Sequence, residues 1–221
     1  MLASDIITET IPPLKPTDGG TKAIDWMYEF KTTHLPIVEK GKFIGLISED
    51  DIMDFNHPDD PLSTYERQLY RPFVRETDHI YVVLRYASTI QSPLIPVLDA
   101  NDEYIGLITM DSLMHYMSSV SGIQEDGGII EIKLNGLKDY VLSDIARLVE
   151  SNNAYILSMY MHNIPGSHQI RLTIKVSITD IRHILSTFER YEYEVEAFYQ
   201  EENVRDMFKD RYDSLMKYLN T

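Results

Sequence analysis

Ser48 and Asp51 stand three residues apart in the run Gly45-Leu46-Ile47-Ser48-Glu49-Asp50-Asp51-Ile52. An ionised carboxylate only accepts hydrogen bonds, whereas a hydroxyl both donates and accepts. At a spacing of three on the first turn of a helix, the two groups share one face. The N-terminus of that helix also favours an anion nearby. The same pair has a plainer use, since serine caps a helix and an acid in the first turn is stabilised by the helix dipole. Thr109 repeats the hydroxyl further along the chain, but Ser112 occupies the place of the carboxylate. Asp111 is one position off and points about 100° away.

Other reactive side chains gather less tightly. Glu49, Asp50, Asp51, Asp54, His57, Asp59 and Asp60 form an oxygen-rich stretch. It suits magnesium beside phosphates or, more simply, a solvated helix end and loop, with Asp60-Pro61 opening the next helix. His162 and His168 flank a loop with no third ligand in sequence reach, which argues against zinc. Gly19-Gly20 lacks the lysine and spacing of a phosphate loop, and neither a Gly-x-Ser-x-Gly elbow nor His-Glu-x-x-His occurs. The 221 residues include no cysteine, which removes disulfides, thiol catalysis and cysteine-bound zinc.

The segments that carry Ser48 and Thr109 are copies of one another. Leu35-Pro36-Ile37-Val38-Glu39 aligns with Ile95-Pro96-Val97-Leu98-Asp99, and Ile44-Gly45-Leu46-Ile47-Ser48 with Ile105-Gly106-Leu107-Ile108-Thr109. Asp50, Ile52, Met53 and Phe55 match Asp111, Leu113, Met114 and Tyr116. The offset is 60 residues before the Lys40-Gly41-Lys42 turn and 61 after it. In each copy a polar start at Thr17 or Thr77 predicts a helix of about a dozen residues. A strand entered through Pro36 or Pro96 follows, then a tight turn, a second strand, and a short helix beginning at Ser48 or Thr109. Two βαββα copies of this size are expected to pack together and share a core.

This arrangement resembles the tandem CBS-domain pair, or Bateman module, over roughly residues 3 to 118. Its most specific element is the run from Gly45 to Ile52, which fits the family's glycine–apolar–apolar–Ser/Thr–x–x–Asp signature without departure. The resemblance implies that Ser48 and Asp51 hold the ribose of an adenosine-containing ligand, AMP, ADP, ATP or S-adenosylmethionine, as a regulatory ligand and not an obligatory cofactor. A carboxylate at Asp51 suits that role, since it can take both hydrogens of a vicinal diol. The resemblance also implies an adenine slot near Ile7-Thr8 and the backbone of His34-Leu35, with His34 as the phosphate contact. In the second copy the corresponding residues are Thr109, Ser112 and Leu94, which lack both the acid and the basic side chain, so the first copy is the better candidate site.

Beyond a polar linker at 119–128, the second half has its own order. Strands at 129–134, 154–161, 170–176 and 193–199 alternate with helices at 140–150 and 181–191, a ferredoxin-like βαββαβ series. It looks like an ACT domain, a module that binds amino acids or dimerises. CBS pairs followed by such domains occur in bacterial proteins of the acetoin-utilisation type. The family's Asp-x-x-Gly ligand loop is here Asn135-Gly136-Leu137-Lys138-Asp139, without the leading acid, which favours a structural or dimeric role. A last helix at 201–219 carries Val204, Phe208, Leu215 and Leu219 on one stripe. The expected class is therefore α+β, with repeats at 1–60 and 61–118, the ACT-like domain at 129–200 and a C-terminal helix at 201–221.

Twenty Lys and Arg against 35 Asp and Glu give a net charge of −15, which repels nucleic acid and anionic membranes. The first residues show no secretory signal and no apolar run reaches a membrane span, so the expected compartment is the cytoplasm. Together these features predict a regulatory, ligand-sensing homodimer without catalysis, acting on a separate protein target. The alternative is a structural or scaffolding homodimer whose pair of repeats has lost its ligand.

Overall fold

The computed structural model describes residues 1–55, 57–90 and 92–199; the helix expected at 201–219 lies outside them. The chain divides into two units, Met1–Met117 and Ser118–Thr221. In the first unit, helix α1 (Gly20–Phe30) leads into the hairpin β1 (His34–Glu39) and β2 (Lys42–Ser48), then α2 (Glu49–Met53). The second copy runs β3 (Val74–Arg75), α3 (Ile80–Ala87), β4 (Leu94–Leu98), β5 (Tyr104–Thr109) and α4 (Met110–Val120). Both hairpins are antiparallel and pair His34 with Ser48 and Leu94 with Thr109. Both break register at the same place, between Ile37 and Val38 and between Val97 and Leu98. Apolar runs on these strands bury Leu35, Ile37, Leu46 and Ile47 in one copy and Ile95, Val97, Leu107 and Ile108 in the other. Leu94 and Leu107 of the second copy belong to the first copy's hydrophobic cluster, so the two copies share a core.

Three local expectations need correction. The first copy has no leading strand; a single parallel bridge from Leu14 to Ile37 stands where β3 pairs with β4 in the second copy. Pro12, Pro13 and Pro16 supply no N–H and the Lys15 N–H goes to the Asp18 carboxylate, so the contact is confined to Leu14, whose N–H donates to the Pro36 carbonyl and whose carbonyl accepts from the Val38 N–H. Helix α1 starts at Gly20 and not at Thr17, because the Asp18 carboxylate accepts from the Lys15 N–H and the Lys22 ammonium, both at 2.8 Å, and folds that stretch into a turn. A Cβ on Gly20 would lie 2.8 Å from Ile52, so only glycine lets the start of α1 approach α2. Helix α3 has eight residues, ending where the Ser88 and Thr89 hydroxyls bond the carbonyls of Arg85 and Tyr86.

In the second unit, β6 (Gly128–Leu134), α5 (Leu142–Glu150), β7 (Ile156–Asn163), β8 (Ile170–Val176), α6 (Arg182–Arg190) and β9 (Glu194–Tyr199) follow in the expected βαββαβ series. The sheet order is β7-β8-β6-β9, antiparallel throughout. Alternation along β6 buries Ile130, Ile132 and Leu134 with Ile145, Leu148, Ile184 and Phe188 of the two helices. Helix α4 continues to Val120, so the connection between elements is residues 121–127, shorter than expected.

Candidate functional site

Strand β2 delivers Ser48 to the N-cap of α2, in extended backbone. The Ser48 hydroxyl oxygen accepts from the Asp51 N–H at 3.0 Å, while Asp51 Oδ2 accepts from the Ser48 N–H at 2.8 Å and from the Ser48 hydroxyl at 2.6 Å. This is a closed capping box. Asp51 is exposed, and its other oxygen, Oδ1, has no hydrogen-bond partner among the described residues. His34, opposite Ser48 on β1, is half-buried and its Nδ1 lies 2.9 Å from the Thr33 hydroxyl. Burial holds its imidazole below the usual histidine range, against the opposing pull of Asp51 and Asp50. At neutral pH the His34 ring is therefore mostly uncharged. Leu35 is fully buried and contributes backbone only.

The second copy builds the same cap without a carboxylate. The Thr109 N–H donates to the Ser112 hydroxyl at 3.0 Å, the Ser112 N–H donates to the Thr109 hydroxyl at 2.9 Å, and the Ser112 hydroxyl donates to the Thr109 carbonyl at 2.9 Å. Leu94 is buried where His34 is half-exposed. Thr32 and Ser92 play one role in both copies, each hydroxyl clasping the N–H and carbonyl of the residue two positions on, His34 or Leu94.

The segments that wall these sites are exchanged between copies. Ile7 and Thr8 were expected beside Ser48 and Asp51, but they lie along β5 of the second copy. The Thr8 N–H donates to the Leu107 carbonyl at 2.8 Å, and the Thr8 carbonyl accepts from the Leu107 N–H at 3.2 Å. The corresponding neighbours of β2 are Leu69 and Tyr70, and the Tyr70 carbonyl accepts from the Leu46 N–H at 2.8 Å. The glycine of each signature makes this approach possible. A Cβ on Gly45 would fall 2.6 Å from Leu69 Cβ, and one on Gly106 2.4 Å from Ile7 Cγ2. Leu69 and Tyr70 are thus the residues that sequence reasoning missed; they stand 62 positions after Ile7 and Thr8, whereas Pro12 recurs as Pro72 at 60, so the offset that aligns the hairpins does not find them.

A cavity of about 570 Å³ is lined by Ile24, Met27, Tyr28, Thr33 and Glu49, and not by Ser48, Asp51 or His34. In the second unit, the Asn135–Lys138 loop and the Asn163–His168 hairpin line another of about 660 Å³. Among the described residues no three His, Asp or Glu side chains are placed to hold a metal ion, and no helix is long and apolar enough to cross a membrane.

Residues 3–57, which contain the intact signature, match the family model of the CBS domain. Among solved structures, the chain is similar to a CBS domain pair/ACT domain protein from Thermotoga maritima at 20% identity, covering 54% of this chain and 98% of that one, with a TM-score of 0.48. It is similar to CBSX2 of Arabidopsis thaliana, solved with AMP, at 19% identity over 54% of this chain and 97% of that one, TM-score 0.44. A third likeness is to the CBS domain of a bacterial CNNM/CorC family Mg2+ transporter, solved with ATP, at 13% identity over 52% of this chain and 85% of that one, TM-score 0.44.

Proposed function

We propose that this chain is a non-catalytic regulatory protein that senses an adenosine-containing nucleotide at the first copy's signature and signals to a separate protein as a homodimer. The observation that carries the reading is Asp51, an exposed carboxylate with Oδ1 open, in the one stretch that matches the CBS model. A ribose diol would bond Oδ1 and draw on the Ser48 hydroxyl, the neutral His34 ring would donate to a phosphate, and Leu69-Tyr70 would flank the base. Binding changes signalling only if the nucleotide distinguishes two arrangements of the protein.

The closed capping box favours a second reading. A scaffold dimer needs Ser48 and Asp51 only for the cap they already make. Calorimetric titration with AMP, ADP, ATP and S-adenosylmethionine separates the two, repeated on Asp51→Ser, which copies the second repeat's cap. Binding that the variant loses supports the sensor; no binding to any of the four leaves the scaffold, and equal binding by the variant removes Asp51 from the site.

A further inference from the structure

A third cavity, of about 550 Å³, opens at the start of β5. Ile11, Pro12, Pro13 and Ile105 wall it, and Glu9 and Tyr104 bring its polar groups. Tyr104 and Thr109 begin and end β5, about 17 Å apart at the rise of a strand, and Thr109, Ser112 and Leu94 do not line the cavity. It is therefore separate from the second copy's signature. A Cβ on Gly106 would lie 3.9 Å from Glu9 Cγ, so the Glu9 stem passes over bare backbone. Glu9 is exposed, and its carboxylate has no hydrogen-bond donor or ion-pair partner among the described residues. The Tyr104 hydroxyl likewise has no partner among them, although its ring is half-buried and stacks on Phe43 at 6.3 Å between centroids. Burial, and then the Glu9 carboxylate, push this phenol up, so it keeps its proton at neutral pH. The first copy lacks this chemistry. At the offset of 62 that matches the lead-ins, Arg71 stands in place of Glu9 and pairs with Glu66 at 3.2 Å; at the hairpin offset of 61, Phe43 stands in place of Tyr104. A solvated acid alone is ordinary. An acid and an unpartnered phenol converging on one apolar cavity have the composition of a small-molecule site.

We infer that this cavity binds a small primary amine in its protonated form, with the ammonium between Glu9 and Tyr104 and an apolar body against Ile11, Pro12, Pro13 and Ile105. An ammonium has three hydrogens to donate and nothing to accept. The Glu9 carboxylate only accepts, and the Tyr104 oxygen accepts while its own hydrogen is free to turn to the carboxylate. An anionic ligand meets the Glu9 charge, and a neutral alcohol leaves that charge uncompensated, so both bind less tightly. A cavity of this volume admits a ring-sized body. None of these residues belongs to the first copy's signature, so the inference stands apart from the nucleotide reading.

Phenethylammonium, phenylethanol and phenylacetate share a ring and differ in charge. Titrated into the full chain and followed by ligand-observed NMR at about pH 7, the ammonium should bind at least about fivefold more tightly than the alcohol, and the carboxylate should not saturate. Glu9→Gln should weaken the ammonium about tenfold and leave the alcohol unchanged, while Tyr104→Phe, the first copy's residue, should weaken it about threefold. Both variants should melt close to wild type, since neither group has a partner to lose. The chain's net charge of −15 attracts cations in general, but that attraction would survive the loss of one acid. Ammonium binding that either variant leaves unchanged therefore overturns the inference. So does equal affinity for the ammonium and the alcohol, or an ammonium that never saturates. Nucleotide titration of Glu9→Gln should match wild type, which keeps the two sites' tests apart.

Discussion

The two copies share a scaffold and differ in chemistry. Both cap their second helix reciprocally, both clasp the strand entry with a hydroxyl, and both admit a crossing segment over a glycine. Only the first places a carboxylate opposite the cap hydroxyl, at Asp51, and an imidazole at the strand entry, at His34; Asp111 of the second copy stands one position off. Where Asp51 stands, Ser112 turns its hydroxyl back to its own cap, and where His34 stands half-exposed, Leu94 is buried. A signature can therefore persist for the helix it starts after the group that could bind has been lost. Conversely, a signature that still caps says little by itself about binding.

The largest expected effect separates the two crossings. Gly106 adopts φ +141 as well as tight contact with Ile7, whereas Gly45 meets Leu69 and Tyr70 without that backbone demand. Gly106→Ala should destabilise the protein by about 3 kcal/mol and Gly45→Ala by about 2 kcal/mol in urea denaturation. Equal losses would show that the positive φ adds nothing. Next, Asp51→Ser makes the first copy resemble the second. It should weaken nucleotide binding at least about tenfold while leaving thermal stability close to wild type, as read by calorimetry and a melting curve.

A smaller effect should appear with pH. His34 is mostly neutral because burial lowers its pKa; a phosphate bound beside it would raise that pKa, so binding would take up a proton. Affinity should rise about threefold from about pH 7.5 to about pH 5.5, beyond any trend shared by His34→Leu, the second copy's residue. Titration of wild type and variant at both pH values checks this; parallel slopes would remove His34 from the site. Smallest is the reverse exchange. Ser112→Asp places an acid in the first turn of α4 and should stabilise the protein by about 0.5 kcal/mol. Its melting temperature and the number of nucleotides bound per chain show whether the carboxylate alone restores a second site.

Much of this is legible in the amino-acid sequence. Repeated prolines and glycines locate both hairpins, because each has a backbone consequence that side-chain variation does not erase. The signature from Gly45 to Ile52 places the cap, and period-2 alternation from Ile129 to Leu134 places the central strand of the second unit. The features that escape a local reading are set by distant partners. Nothing local in Ile7-Thr8 says that it will lie along Leu107, and nothing in Leu69-Tyr70 announces Leu46. The late start of α1 depends on Asp18 reaching both Lys15 and Lys22, a side-chain competition that helical periodicity does not report. The missing first strand is different, since Pro12, Pro13 and Pro16 advertise their lack of N–H groups in the sequence itself.

The exchanged crossings bear on how the protein can be divided. A fragment cut near residue 60 would keep Ile7-Thr8 but lose the strand they lie along, and it would keep β2 but lose the Leu69-Tyr70 segment that covers it. Each half is folded by a lead-in belonging to the other, so neither is a self-contained module. Joining the halves in one polypeptide fixes the effective concentration of each lead-in at its site, which two separate fragments would have to supply by association.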